Sequence, residues 1–574
     1  MIKKLNTYSL AFVSCFTNFF VHAAPAQYEL EIIETPTDFK HSYPVDINNS
    51  GSAISALVTR FNYPIDMSLL DLDDVDKSLA DTLAIRIDTS NGNTLLNEVK
   101  RGRFNNVSLS LILTYLDQVQ SSGRHQKLGA ISIRDAVGVY RAGLSHSSET
   151  RELAIFDTIS DATDEYTYMN SEAARAINNN AWIVGDASSP YTLTELNDIN
   201  WLVPEFSHRA YVRLNSGKVT PLIAEESEYF GGVSYATDIS DSGYVVGYAS
   251  VGTTTSLLSA QASCEANDDN VPENLCMSTL METEGNQLAL YKTHAYRWKV
   301  NGNGEVVEQT DLGIAIDDSA TAAQAQYYSK AYAVNYDGVA VGESHVISVN
   351  NRVSSQATVF YQGAATTLID SSDSPSSKAV DINDNGIVLG NVVNVIGFGS
   401  ANKSFYYDYS SNAINVTQLD DFAQNADTTA RAINNLNQIV GKAEKDSLSG
   451  SSVPSIAFLY DIATESIYDL NDYLACDTDL HLVEAVSIND DGVILARATK
   501  LDNQYNLLGE AVQDTQDTLQ LMVKLKPAAV DFQQCDLNLA EDDLITRKGA
   551  SISVPFMLVF FITFLFKTSL INRK

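Results

Sequence analysis

The chain has 574 residues, 45% of them hydrophobic and 28 of them Tyr, too apolar for a disordered chain and too long for one ordinary domain. Against 37 Lys and Arg stand 72 Asp and Glu, a formal charge of −35 that disfavours nucleic acid and anionic headgroups as partners and favours solubility.

The first predicted element, residues 1–23, is a signal peptide. Lys3 and Lys4 form a basic start, Leu10 to Val21 an apolar core, and Val21-His22-Ala23 a cleavage site, with Ala24-Pro25-Ala26 a second option. A lipoprotein reading through Cys15 lacks the Leu expected three residues earlier. Cleavage discards Cys15 and leaves an even set for an oxidising compartment. Cys264 pairs with Cys276 by proximity, and Cys476 with Cys535 by elimination. The repeat region covers 24–530 and carries two inserts. The insert at 57–128 combines an acidic stretch, Asp71 to Asp81, with an amphipathic helix over Asn106 to Gln120. The insert at 251–290 contains the first cysteine pair. Outside Asn106 to Gln120 almost no helix is expected. A linker over 531–551 leads to 552–571, apolar enough to span a membrane as a helix and flanked by Arg547-Lys548 and Arg573-Lys574.

A twelve-residue unit recurs through the repeat region. Its clearest copy runs from Ala379 to Gly390, and others start at Pro44, Ala174, Ala236, Ala331, Ala430 and Ala485. Its fourth position is always Ile or Val, suited to a buried strand face. Positions one and three are short, so that face can approach a neighbouring sheet. Positions five to eight, as in Asn383-Asp384-Asn385-Gly386, are hairpin chemistry, with Ala181 replacing the usual Gly or Asn in one copy. The fifth positions Asn335, Asn383, Asn434 and Asn489 lie 48, 51 and 55 residues apart. Between units stand aromatic strands, at Ala210-Tyr211-Val212, His294 to Trp298, Ala357 to Tyr361, Phe405-Tyr406-Tyr407 and Ala457 to Tyr460. Each leads through a turn to a short strand ending near Leu222, Leu312, Leu368, Leu419 or Leu470. Two hairpins per period make a four-stranded antiparallel sheet. The expectation is therefore all-β: a β-propeller-like ring of seven such blades, or eight if Ala130 to Gly143 contributes.

The alternation of His-Ala-Tyr strands with Ala-x-x-Ile-Asn-x-x-Gly-x-x-x-Gly hairpins resembles the HAF-type extracellular repeat, over Pro44 to Ala498. The whole layout resembles exported proteins of marine gammaproteobacteria, a likeness that brings no catalytic residues. Arg547-Lys548-Gly549-Ala550-Ser551 before the apolar span resembles the Gly-Gly-type sorting tails read by rhomboid-like proteases, although Ala550 stands where those tails have a second Gly. Cleaved tail and permanent anchor both stay open.

Catalytic motifs are absent: the chain has no zinc-protease helix, phosphate loop or nucleophile elbow. His208 and His294 read as packing or turn residues, and the adjacent carboxylates Asp317-Asp318 and Asp420-Asp421 as solvated loop charges. Asp381-x-Asn383-x-Asn385-Gly386 and its relatives at Asp46 and Asp238 match the start of a calcium loop, but Val392, Leu57 and Ala249 stand where the closing Glu belongs. No catalytic residue, cofactor or metal ligand is assigned. The expected role is non-enzymatic binding or scaffolding at the cell envelope, with a polysaccharide or protein ligand and the membrane as partner through the C-terminal helix. The alternative is a propeller hydrolase or lyase acting on an extracellular polymer, its acid and base supplied by separate blades.

Overall fold

The computed structural model describes residues 27–65, 98–99, 101–121, 141–161, 164–168, 170–316, 327–348, 352–397, 399–411, 414–423, 426–445, 455–476 and 478–528. The signal-like segment, the Asp71 to Asp81 stretch, Asp317-Asp318, Cys535, the linker and the apolar span lie outside them.

Each repeat folds as strand, tight turn and strand. In the clearest copy the strands are Ser377–Ile382 and Ile387–Ile396. Asn383 Oδ1 accepts the Ile387 N–H at 2.9 Å, and the Gly386 N–H reaches Asn383 O at 3.0 Å. The eighth position has positive φ in every copy, 82° at Gly386 and 55° at Ala181, the backbone for which Gly or Asn was expected. The fourth-position Ile and Val side chains are buried in all seven copies.

Position two was unforeseen. All seven first strands carry a register shift between positions one and three, as between Ala379 and Asp381. This β-bulge leaves position three facing the next blade, as its small size implied: Ala176 joins the apolar cluster with blade 3 and Ala333 the one with blade 5. It also explains the closing glycine: a Cβ on Gly247 would lie 1.8 Å from the Tyr235 carbonyl oxygen across the pair.

The strands form seven four-stranded antiparallel sheets, and the first strand of each repeat is the innermost. The innermost strands of blades 1 to 7 are Phe39–Ile47, Glu172–Ile177, Ser234–Ile239, Ser329–Val334, Ser377–Ile382, Thr428–Ile433 and His481–Ile488. The aromatic strands are third in their blades. Apolar clusters fill the space between neighbours; Val341, Val359 and Leu368 of blade 4 meet Ile382, Val388 and Phe405 of blade 5. Among the described residues there is no eighth blade: Arg141–Ser145, which takes in the end of the stretch considered for it, is the third strand of blade 1.

Blade 7 closes the ring. Its second and third strands are Ile494–Tyr505 and Ala511–Pro527, and its fourth is the N-terminal strand Tyr28–Ile33, paired so that Tyr28 faces Pro527 and Ile33 faces Met522.

Because the strands alternate in direction, turns between first and second strands lie at one end, and connections between second and third strands at the other. Every large insertion uses the second connection. In blade 1 it spans 61–140 and includes helix α1 (Asn106–Ser121), the helix expected from the sequence. Blade 2 adds an unforeseen hairpin, Tyr191–Leu196 with Ile199–Pro204. Blade 3 adds helices α2 (Thr255–Glu265), α3 (Glu273–Leu280) and α4 (Glu284–Leu290), which corrects the expectation of almost no further helix. These short helices are held by context more than by propensity. Thr254 and Thr283 cap α2 and α4, the Cys264–Cys276 disulfide ties α2 to α3, and Leu257, Met277 and Met281 are buried. Cys476 is also disulfide-bonded, and its expected partner Cys535 lies outside the described residues. Among the described residues no helix is long and apolar enough to cross a membrane.

Candidate functional site

At the turn end, fifth and sixth positions of successive repeats link around the channel. The Asn48 carboxamide donates to Asn178 O at 3.0 Å, Asn178 to Ser240 O at 3.2 Å, Asn383 to Asn434 O at 2.9 Å, Asn434 to Asn489 O at 3.0 Å, and Asn489 back to Asn48 O at 3.1 Å. One position on, the Asn49 N–H reaches Asn179 Oδ1, the Asn435 N–H reaches Asp490 Oδ1, and the Asp490 N–H reaches Asn49 Oδ1, at 2.8 to 3.0 Å. Between blades 3 and 4, where Tyr336 offers no carbonyl side chain, Ser242 Oγ donates to Tyr336 O at 2.7 Å instead.

Within this mouth lies a void of about 280 Å³ bordered by Asp46, Asp238 and Asp381, the third-position residues of alternate blades 1, 3 and 5. Each carboxylate clamps two blades. Asp381 accepts the Ile382 N–H of its own strand and the Ile433 N–H of blade 6, both at 2.8 Å. Asp238 does the same for Ile239 and Val334, and Asp46 for Ile47 and Ile177, with Ser487 Oγ as a third donor. Burial raises all three, Asp238 to about 8 and Asp381 to about 7, with repulsion from neighbouring carboxylates adding at those two and the amide hydrogen bonds opposing. By area these side chains are only partly buried, so the shifts belong to a narrow protein-lined space and not to a dry interior. The Asn and Asp residues of the calcium-like pattern are thus occupied as turn and clamp groups, and among the described residues no His, Cys, Asp and Glu group is arranged to hold a metal.

The insert end is different in kind. Helix α4 is pegged to three blades by two polar residues. Gln287, almost wholly buried, donates to Ser207 Oγ at 2.9 Å and accepts from the Tyr235 hydroxyl. Glu284 accepts from the Tyr248 hydroxyl at 2.8 Å and from Lys330 Nζ at 2.6 Å. Burial alone would raise Glu284, but Lys330, Tyr248 and Arg175 outweigh it and hold it below the usual range. His208 stacks on Tyr235, and Tyr235 on Tyr248, with ring centres 5.3 and 4.6 Å apart. Burial lowers His208, so it stays neutral in this ladder, as its packing assignment anticipated.

Charged residues line the rest of this end through positions the sequence did not mark: position two, the residue just before position one, and second-strand residues such as Asp186 and Arg497. Arg175 pairs with Asp186 at 2.8 Å, and Arg431 and Arg497 share Glu484 at 2.6 and 3.2 Å. Lys378 is exposed on the innermost strand of blade 5. Reading the residue before position one across aligned repeats (Tyr43, Ala173, Tyr235, Lys330, Lys378, Thr429, Glu484) was a signal that could have found Lys330, Lys378 and Glu484, but not Arg431 or Arg497.

The other sequence candidates are scattered. His294 Nδ1 meets Asp311 at 2.9 Å between the third and fourth strands of blade 3. Asp421 is no solvated loop charge: it holds the buried Lys403 ammonium and accepts from Thr428 Oγ1 at 2.8 Å, because Lys403 sits on a strand whose neighbours seal it from water.

The sequence matches the family described as protein of unknown function (DUF3466) over residues 2–565, and the chain belongs to that family. No curated protein matches it. Among solved structures it is similar to the β-propeller domain of the Trilobed protease from Pyrococcus furiosus, at 9% identity and a TM-score of 0.35, covering 89% of this chain and 99% of that one. It is also similar to an acylaminoacyl peptidase from Pyrococcus horikoshii, at 9% identity and a TM-score of 0.35, covering 85% of this chain and 54% of that one. Likenesses this distant carry no argument about activity.

Proposed function

We propose that this DUF3466 member is a non-enzymatic binding module of the cell envelope, taking its ligand at the insert end of the channel. The observation that carries the reading is the placement of the inserts. Blades 1, 2 and 3 all spend their extra sequence at that end, and the long blade 7 hairpin packs its Leu508 against the blade 1 insert there. The opposite mouth is occupied by interblade hydrogen bonds. Loops on a rigid scaffold are where recognition concentrates. At the insert end Glu284, Asp186 and Glu484 are each held by a cation, which supports binding over acid–base chemistry.

We also place the body outside the cytoplasm, tethered or released through its C-terminal segment. The Cys264–Cys276 disulfide supports an oxidising destination, and the signal-like start and apolar end motivate the rest. Full-length protein screened against polysaccharide and peptide arrays is expected to retain a ligand without converting it. Turnover abolished by a single carboxylate substitution would overturn the binding reading in favour of the hydrolase or lyase. Intact mass of protein from its native host tests the tail: an end near Gly549 means processing, detergent-extracted full length means an anchor, and freely soluble full length refutes both.

A further inference from the structure

We propose that the insert end of the channel recognises a carboxylated oligosaccharide, its carboxylates held by Lys378, Arg431 and Arg497 on the consecutive blades 5, 6 and 7. This rests on the reading of that end as the binding end and specifies what it binds.

At the insert end and just below it, several cations are already matched to a carboxylate. Lys330 is spent on Glu284, Arg175 on Asp186 and Lys403 on Asp421. On the wall of blades 5 to 7 three cations accompany one carboxylate. Lys378 is exposed on the innermost strand and has no carboxylate partner among the described residues. Arg431 and Arg497 face each other across one carboxylate, Glu484, so the trio carries a net positive charge. The Arg431 side chain is 41% exposed and that of Arg497 26%, so both guanidiniums can be reached from the channel side. Two guanidiniums braced by one buried carboxylate keep their forks oriented while leaving donors for an incoming carboxylate. Low-dielectric walls concentrate this local field although the molecule as a whole repels anions.

The choice of a sugar over a peptide comes from the same strands. Tyr43 of blade 1 and Tyr332 of blade 4, both partly exposed, occupy innermost-strand positions like those of Lys378 and Arg431 and flank the charged wall with aromatic rings. An acidic peptide docking as an added strand would need a straight strand edge, and the bulge in every innermost strand removes it.

The test is calorimetric titration of full-length protein with a hexameric galacturonate, a neutral gluco-oligosaccharide of equal length and hexaglutamate. The uronate is expected to bind with an affinity that falls at high salt, and Lys378→Gln to weaken it about tenfold, the loss of one charge-assisted contact. Lys378 is exposed and unpaired, so this variant should keep the parent melting temperature. Asp241→Asn, at the opposite mouth, should leave binding unchanged. Uronate affinity indifferent to Lys378→Gln, or hexaglutamate binding as tightly, would overturn the proposal. A neutral oligosaccharide that binds where the uronate does not would sink this inference and leave the binding end standing. Failure of all three probes here, with no ligand retained on the arrays, would remove both.

Discussion

Asn383→Ala isolates what the turn-end ring contributes. Asn383 is 4% exposed and its carboxamide serves three partners: the Ile387 N–H at 2.9 Å, Asn434 O at 2.9 Å and Asn437 Oδ1 at 2.8 Å. Truncation leaves a buried N–H in its own turn and a buried carbonyl in the next blade, each costing about 1 to 3 kcal/mol when unpaired. Water from the channel mouth can reach part of the gap, so about 3 kcal/mol in total is expected. Asn385, two residues on, is exposed; its donation to Asn435 O at 2.8 Å competes with water throughout, and Asn385→Ala should cost about 1 kcal/mol or less. For a body of this size each kcal/mol moves the melting temperature by about 1 °C, so scanning calorimetry resolves the pair. Equal shifts for the two variants would mean that the interblade carboxamides are ornaments of a ring held by apolar packing alone.

Ile382→Asp should cost several kcal/mol, because it buries an unpaired charge between blades 4 and 5; a melting shift as small as that of Asn385→Ala would refute the packing given for it. Ile33→Asp should be comparably severe by loosening the strand that closes blade 7, seen as new proteolytic cleavage near both ends of the body; an unchanged digest would argue that ring closure does not depend on it. Asp238 takes its proton at about 8 in the fold against 3.8 in a free carboxyl, so its linkage favours the fold most at acid pH and that favour is lost as pH rises through about 8. Asp238→Ser should therefore flatten the fall in melting temperature across that range, and an unaltered slope would contradict the raised value. Replacing Cys264 and Cys276 together by Ser, which leaves the disulfide of Cys476 intact, should open the α2–α3 segment to protease while the propeller melts as before; a large drop in the main transition would show that the insert supports the ring.

Blade number and turn chemistry were legible because they are local. Ile382 and its six counterparts sit next to their turns, and the positive φ of Gly386 is demanded by the four residues around it. The closing strand was not legible: Tyr28–Ile33 carries no repeat signature, and only its pairing with Ala511–Pro527 gives it a blade. Helices α2 to α4 were missed because their buried residues are few and spread over short segments, with a disulfide and two Thr caps providing what periodicity normally does. The charged wall was hidden for another reason. Lys378, Arg431 and Arg497 stand on three blades, in positions whose neighbours in sequence are ordinary strand residues, and only the ring brings them into one place.

The union of Tyr28–Ile33 with Ala511–Pro527 also sets a timetable. Synthesis delivers the first of these strands at the outset and its partner only after every other blade has been made. Six blades can complete their sheets from neighbouring sequence, whereas blade 7 waits for a strand nearly the whole body away, the costliest loop to close and the slowest kind of contact to form. Until then one flank of Ala511–Pro527 offers unpaired backbone, and any chain interrupted before the two meet carries an adhesive edge that Tyr28–Ile33 covers in the finished ring.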